Sequence, residues 1–194
     1  MIIGLTGQTG AGKSTVSAVF AENGFFVINA DLVSREVSST KEAAALLRDA
    51  FGDGIFTDGA LNRKALGKIV FSDPEKLSLL NKTVLPLISE KIKEIINSSD
   101  SEYILLDAPT LFESGLHKIC DVIISVIAPE NIRKERIMIR DSLSEIEASA
   151  RISSQKSAEF FKENSDIILT NDKTVNDIYK RALKVIKSIK EKSV

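Results

Sequence analysis

Gly7-Gln-Thr-Gly-Ala-Gly-Lys-Ser14 is the stretch that decides the fold. Every fixed position of G-x-x-x-x-G-K-[ST] is present in it. Residues 1–6 form a short apolar run that reads as a buried strand, and residues 15–22 read as a helix. Strand, loop and helix in that order are the context the motif requires. Gly7, Gly10 and Gly12 let the backbone turn tightly and aim several N–H groups into one concavity. A polyphosphate fits there, over the positive end of the following helix. Lys13 adds a full charge for the β- and γ-phosphates, and the Ser14 hydroxyl is placed to ligate Mg²⁺. A glycine-rich turn without a ligand would need none of this context. The expected ligand is a nucleoside triphosphate, held by Gly7, Gly10, Ala11, Gly12, Lys13, Ser14 and Thr15.

The 194 residues fit one domain with room for insertions, and 43% of them are hydrophobic, enough for a core. With 26 basic and 27 acidic residues the net charge is −1, which gives no sign of a nucleic-acid or membrane surface. Cys120 is the only cysteine and has no internal disulfide partner, so a reducing compartment is expected. No apolar run approaches a membrane span, and no charged segment followed by an apolar one marks a signal peptide. A soluble cytoplasmic protein is the expectation, with a monomer as its state and a small homo-oligomer as the alternative.

Along the chain, Phe25-Phe-Val-Ile-Asn29 reads as a second strand, ending at Ala30-Asp31. Residues 38–98 read as mostly helical. Ser39-Thr-Lys-Glu42 has the form of a capping box before a helix to residue 51. Gly52, Gly54 and Gly59 mark a loop, residues 63–71 a short helix, and Asp73-Pro-Glu75 the start of a long one. Leu77, Leu80, Val84, Leu87, Ile88, Ile92, Ile95 and Ile96 recur at helical spacing along it and read as core, while Pro86 should kink or divide it. Residues 103–107, 122–128 and 166–170 are three further strands. Between the last two, residues 130–141 and 144–161 read as helices, and residues 173–192 as a terminal helix with Val175, Ile178, Ala182, Val185 and Ile189 on one face. Alternation of strand and helix predicts an α/β fold with a mainly parallel five-stranded sheet. Such a sheet presents its C-terminal strand ends at one ligand-binding edge, so Asp31 and Asp107 are expected on the phosphate side.

A small-molecule kinase, a GTPase switch and a non-catalytic regulatory nucleotide-binding module all carry such a loop. The GTPase is disfavoured: Asn81-Lys82-Thr83-Val84 lacks the aspartate of a guanine-reading N-K-x-D, and Asp107-Ala-Pro-Thr110 lacks the glycine of a switch segment. Phosphoryl transfer to an alcohol needs a group to orient and deprotonate the acceptor, positive charge on the migrating phosphoryl, and exclusion of water. Asp31 is a candidate for the first, Arg136 and Arg140 for the second, and a lid at about 140–161 for the third. Each has a plainer reading, since strand-end aspartates cap turns and helix arginines pair with neighbours such as Glu135 and Asp141.

The ordered set of motifs resembles the dephospho-coenzyme A kinase family over nearly the whole chain. The residues that carry the resemblance are residues 2–15, Val27-Ile-Asn-Ala-Asp31, residues 63–71 followed by Asp73-Pro74, and Leu106-Asp-Ala-Pro-Thr-Leu-Phe-Glu-Ser-Gly-Leu116. Arg140-Asp141, Arg151, Gln155, Asp166 and Asn171 then follow in the family's order. Departures are Asn29 for the first aspartate of V-I-D-A-D, Thr110 for a leucine, Leu85 for the usual histidine before Pro86, Ser165 for alanine, and Lys173 for the glycine after Asn171.

The resemblance implies a three-layer P-loop kinase fold with a helical acceptor-binding insertion at about 32–98 and a helical lid. It implies ATP-dependent phosphorylation of the ribose 3′-hydroxyl of dephospho-coenzyme A, giving coenzyme A and ADP, with Mg²⁺. A nucleoside or nucleoside-monophosphate kinase is the runner-up. Carried onto this sequence, the family's roles are catalysis by Asp31, Lys13 and Arg140. Acceptor contacts fall to Asp31, Arg63, Leu111, Phe112 and Arg136, a nucleotide contact to Asn171, and Mg²⁺ to Ser14 and Asp107, with Glu113 beside it. Packing alone would equally explain Leu111 and Phe112. His117 reads as a loop residue and Cys120 as a small core residue.

Overall fold

The computed structural model describes residues 1–70 and 72–192. In chain order the elements are β1 (Ile2–Gly7), α1 (Lys13–Glu22), β2 (Phe26–Asn29), α2 (Ala30–Val37), α3 (Lys41–Phe51), β3 (Phe56–Thr57), β4 (Ala60–Leu61), α4 (Arg63–Val70) and α5 (Pro74–Asn97). There follow β5 (Ile104–Asp107), β6 (Val122–Ile127), α6 (Glu130–Asp141), α7 (Glu145–Ser153), α8 (Ala158–Glu163), β7 (Ile167–Thr170) and α9 (Val175–Lys192). They form two compact units, one of residues 1–28 with the chain from Asp100 onward, the other Asn29–Ser99.

The first unit carries the sheet, in the order β2-β5-β1-β6-β7. β1 pairs in parallel with β5 on one side and β6 on the other, and β6 pairs in parallel with β7. The direction of winding therefore reverses at β1, and the loop that follows β1 lies at the point where open parallel sheets bind ligands. β1 is apolar because both its faces are covered. Ile3, Leu5, Leu105, Ile124 and Val126 pack with Val16, Val19 and Phe20 of α1 and with Ile178, Ala182, Ile186 and Ile189 of α9. Each Val, Leu, Ile or Phe among them contributes about 1.5–3 kcal/mol by leaving water, and truncating Phe20 alone should cost about 3–5 kcal/mol. The buried stripe of α9 runs through Ile186, not Val185, and Val175, expected on it, is exposed at the first turn.

The second unit is helical, with α2, α3 and α4 packed on α5. Val84, Ile88 and Ile92 form the buried stripe of α5, four residues apart. Pro86 does not divide this helix, which runs unbroken from Pro74 to Asn97. α4 ends at Val70; Phe71, the last residue expected in it, lies outside the described residues. Two further expectations are corrected here. Thr40, and not Ser39, caps α3, its Oγ1 accepting from the Ala43 N–H at 3.2 Å. The glycine loop contains a hairpin, β3–β4, whose turn residues Asp58 and Gly59 have φ 52° and 78°. That is the left-handed pair a two-residue hairpin turn needs. No helix among the described residues is long and apolar enough to cross a membrane.

Candidate active site

The loop between β1 and α1 is shaped by close approach. Gly7 has φ 147°, and a Cβ there would overlap the Val126 carbonyl oxygen of β6. Gly12 has φ 95°, and its Cβ would overlap the Asn171 carboxamide nitrogen. Neither position tolerates a side chain. Gly12 caps α1 without a side-chain hydrogen bond, and no acidic residue stands in the first turn of the helix. The first N–H groups of α1 and the positive end of its dipole are left for an external anion. Ser14, the second residue of α1, is exposed.

Three side chains brace the loop. Lys13 donates to the carboxylate of Asp107, which ends β5 beside β1 and is 4% exposed. Asn171, just past β7, fixes its backbone on the Ile127 carbonyl at 2.8 Å and donates its side-chain N–H to the Ala11 carbonyl at 2.8 Å. The Asn171 Oδ1 is buried and has no protein partner among the described residues. Arg136 reaches from α6 to the Gly10 carbonyl at 3.3 Å. One turn earlier, Arg133 is 5% exposed, its Nε and Nη1 have no protein partner among the described residues, and burial pulls its pKa down.

Arg140 does not reach the loop; it pairs bidentately with its neighbour Asp141, at 2.8 and 2.7 Å. Arg151 of α7 donates to the same carboxylate at 2.6 Å. The Arg140 hydrogen bond, reinforced by the charge and hydrogen bond of Arg151, holds the Asp141 carboxyl below the usual aspartate range. Residues 144–161 are two helices rather than one. Ser144 opens α7 with a capping box, Ser157 opens α8 by accepting from the Phe160 N–H, and the chain breaks between them. Serines at 153, 154 and 157 offer the backbone local hydrogen bonds that compete with the helix, as Ser154 does with the Arg151 carbonyl at 3.0 Å. From this break Gln155 accepts the Thr9 N–H of the loop at 2.8 Å.

Phe112 packs edge-on against Phe160 at 5.2 Å and beside Phe161 at 6.2 Å. Leu111 is fully buried and packs over Gly4 in the core. In the second unit, Asp31 is corrected from strand end to first turn of α2; it is exposed, and Asn29 is the residue that caps this helix, accepting from the Leu32 N–H at 3.1 Å. Arg63 donates to the Arg35 carbonyl at 2.6 Å and to Ser39 Oγ at 3.3 Å, where α2 ends. Arg35 and Arg63 line a cavity of about 480 Å³ with Ser39 and the β3–β4 turn.

The model of the dephospho-CoA kinase family matches residues 1–177. This chain belongs to that family. A dephospho-CoA kinase of Fusobacterium nucleatum is 36% identical over 190 residues, which cover 97% of this chain and 98% of that one. Among solved structures, one from Thermus thermophilus is 31% identical with a TM-score of 0.86, covering 97% and 96% of the two chains. Dephospho-CoA kinase from Campylobacter jejuni is 27% identical with a TM-score of 0.63, covering 97% and 96%. As a dephospho-CoA kinase family member, the chain keeps the loop, Lys13, Asp107, Arg136 and Asn171 together in one unit, while Arg140 is turned to Asp141. Gln155 was visible in the sequence only as a residue in the family's order; its bond to Thr9 depends on the helix break that apolar spacing did not show.

Proposed function

We propose that the protein transfers the γ-phosphoryl group of ATP to the ribose 3′-hydroxyl of dephospho-coenzyme A, releasing coenzyme A and ADP. The observation that carries this reading is a family match that spans both the phosphate loop and the whole helical unit Asn29–Ser99. In the chemical step the acceptor oxygen bonds to phosphorus as the β–γ bridge bond breaks, through a loose transition state. Lys13 and the N–H groups at the start of α1 take up the charge that grows on the bridge oxygen. Arg140 and Arg136 are assigned to the equatorial oxygens, and Asp31 orients the 3′-hydroxyl and receives its proton as the new bond forms.

The donors here suit Mg²⁺ as a nucleotide-borne ion. Ser14 offers an open hydroxyl and Asp107 a carboxylate, and no cluster of three or more His, Cys, Asp or Glu forms a protein cage among the described residues. Bound there by Ser14, with Asp107 beside it, the ion would neutralise phosphate charge. Free Cys120 supports a reducing, cytoplasmic setting, and we take the working form to be a monomer. The test is an acceptor panel: purified protein, Mg·ATP, and dephospho-coenzyme A beside AMP, CMP and uridine, with ADP release followed. Turnover of dephospho-coenzyme A alone is expected. Turnover only of a nucleoside or nucleoside monophosphate would overturn the assignment.

A further inference from the structure

We propose that Gln155 is a catalytic residue that donates a hydrogen bond from its carboxamide to the phosphoryl group in transfer. The Thr9 backbone N–H can only donate, so the Gln155 atom facing it at 2.8 Å is the oxygen. That decides the orientation of a side chain whose two ends otherwise look alike. Gln155 is exposed, and its Nε2 group projects from the other end of a rigid planar amide, with no hydrogen bond to the protein among the described residues.

Where those donors lie follows from the loop. Gln8 gives its N–H to the Val126 carbonyl and Ala11 gives its N–H to the Gln8 carbonyl, so both are turned into the protein. Thr9, between them, is the loop residue whose N–H meets Gln155. A phosphate chain seated on the first turn of α1, with Lys13 at the β–γ bridge, has its inner phosphates enclosed by Gly10–Ser14. On this proposal its terminal group sits beside the arm that holds Thr9, within reach of the Gln155 carboxamide. The strap that carries Gln155 makes contacts of its own. Lys156 stands 4.1 Å over the Phe160 ring and 3.8 Å from Glu113, and Ser157 caps α8. These contacts, with the bond to Thr9, help to hold Gln155 in place, as an electrostatic contribution to a transition state requires.

A merely structural role, tying the strap to the loop, is separable by experiment. Gln155→Glu keeps an acceptor for Thr9 but replaces the donor with a negative charge. The proposal expects ADP affinity within about threefold of wild type, affinity for the β,γ-imido analogue of ATP weakened about tenfold or more, and kcat lowered about 100-fold. Gln155→Ala should lower kcat while leaving the ratio of analogue to ADP affinity closer to wild type, since it adds no charge. An unchanged ratio and kcat in Gln155→Glu, or equal losses of ADP and analogue affinity in both variants, would reduce Gln155 to a tie and overturn the inference. The inference rests on ATP as the phosphoryl donor. Failure of that reading has its own signature, a wild-type protein that binds no ATP analogue.

Discussion

Lys13 and Asp107 are bound to each other across the gap between the phosphate loop and the tip of β5. The pairing follows from register: Leu5 of β1 lies beside Asp107, so the strand end that follows β1's neighbour falls under the lysine. Lys13→Ala should therefore have two effects. It should abolish detectable transfer and weaken ATP binding, because charge on the β–γ bridge is no longer compensated. It should also leave Asp107 as an unpaired, nearly buried carboxylate, lowering stability by about 3 kcal/mol, the lower end for a broken buried pair because Lys13 keeps some solvent access. Lys13→Ala/Asp107→Ala should recover most of that stability and none of the activity, measured by urea unfolding and ADP release. A fully stable, active Lys13→Ala protein would contradict both expectations.

Arg140 is more than half exposed and tied to Asp141. An exposed ion pair of this kind contributes little to folding. Arg140→Ala should therefore leave the melting temperature nearly unchanged while lowering the rate about 100-fold, the range for a group that stabilises a phosphoryl transition state. Unchanged turnover would leave Arg140 as a partner of Asp141 and nothing else.

Asn171 braces the loop through one hydrogen bond to the Ala11 carbonyl, in a buried position. Asn171→Ala removes the donor and leaves that carbonyl without it, at a cost of about 1–3 kcal/mol. Because the bond lies under the phosphate cradle, ATP affinity should fall as well, while acceptor KM holds. Calorimetric titration with ATP beside thermal unfolding checks both; loss of stability with ATP affinity intact would make Asn171 a remote structural residue.

Burial, with Asp121 adding to it, pushes the Cys120 thiol from 9.0 up to about 12. The folded protein should stay unalkylated by iodoacetamide under conditions where the urea-unfolded chain reacts fully. The linkage has a definite sign. The unfolded thiol ionises near 9.0 and the folded one does not until about 12, so this contribution to stability is whole below pH 9.0 and is lost progressively as pH rises toward 12. Thiolate absorbance against pH, on native and unfolded protein, reads both values directly.

The parts of this fold legible in the sequence were those set by local rules. The loop could be read because its glycines and Lys13 stand at fixed spacing, and the five strands because they are short apolar runs, most fully buried in β1, β5 and β6. What depended on register or on competing hydrogen bonds could not. Asp107 read as a strand-end carboxylate facing phosphate; that it holds Lys13 needed the pairing of β1 with β5. α2 was hidden because its eight residues carry two valines, and its buried set is only Ala30, Val33 and Val37. The break before α8 was hidden because residues 144–161 read as one helical stretch, whereas the serines between Ile152 and Phe161 end α7 and cap α8. Gln155 and its contact with the loop went with it.

Asp31 gives the sharpest test of the proposed mechanism, and its place in α2 makes the test cleaner. A ribose hydroxyl is a poor nucleophile near neutral pH, and the loose transition state does not require its full deprotonation beforehand. A carboxylate still helps by orienting the hydroxyl in line and receiving the proton as the bond forms. The plainer role, capping the turn, belongs to Asn29, whose side chain accepts from the Leu32 N–H. Asp31 is exposed in the first turn, where its charge adds at most about 0.3–1 kcal/mol through the helix dipole. Asp31→Asn keeps size and hydrogen-bond acceptance but cannot take a proton. It should retain near-normal stability and ATP affinity while the chemical step falls about 100- to 10,000-fold. A role in holding a Mg²⁺-bound water would instead show activity partly restored by high Mg²⁺ or by Mn²⁺. Single-turnover rates of the folded variant across a Mg²⁺ titration separate the two, and a wild-type rate at ordinary Mg²⁺ would remove Asp31 from the mechanism.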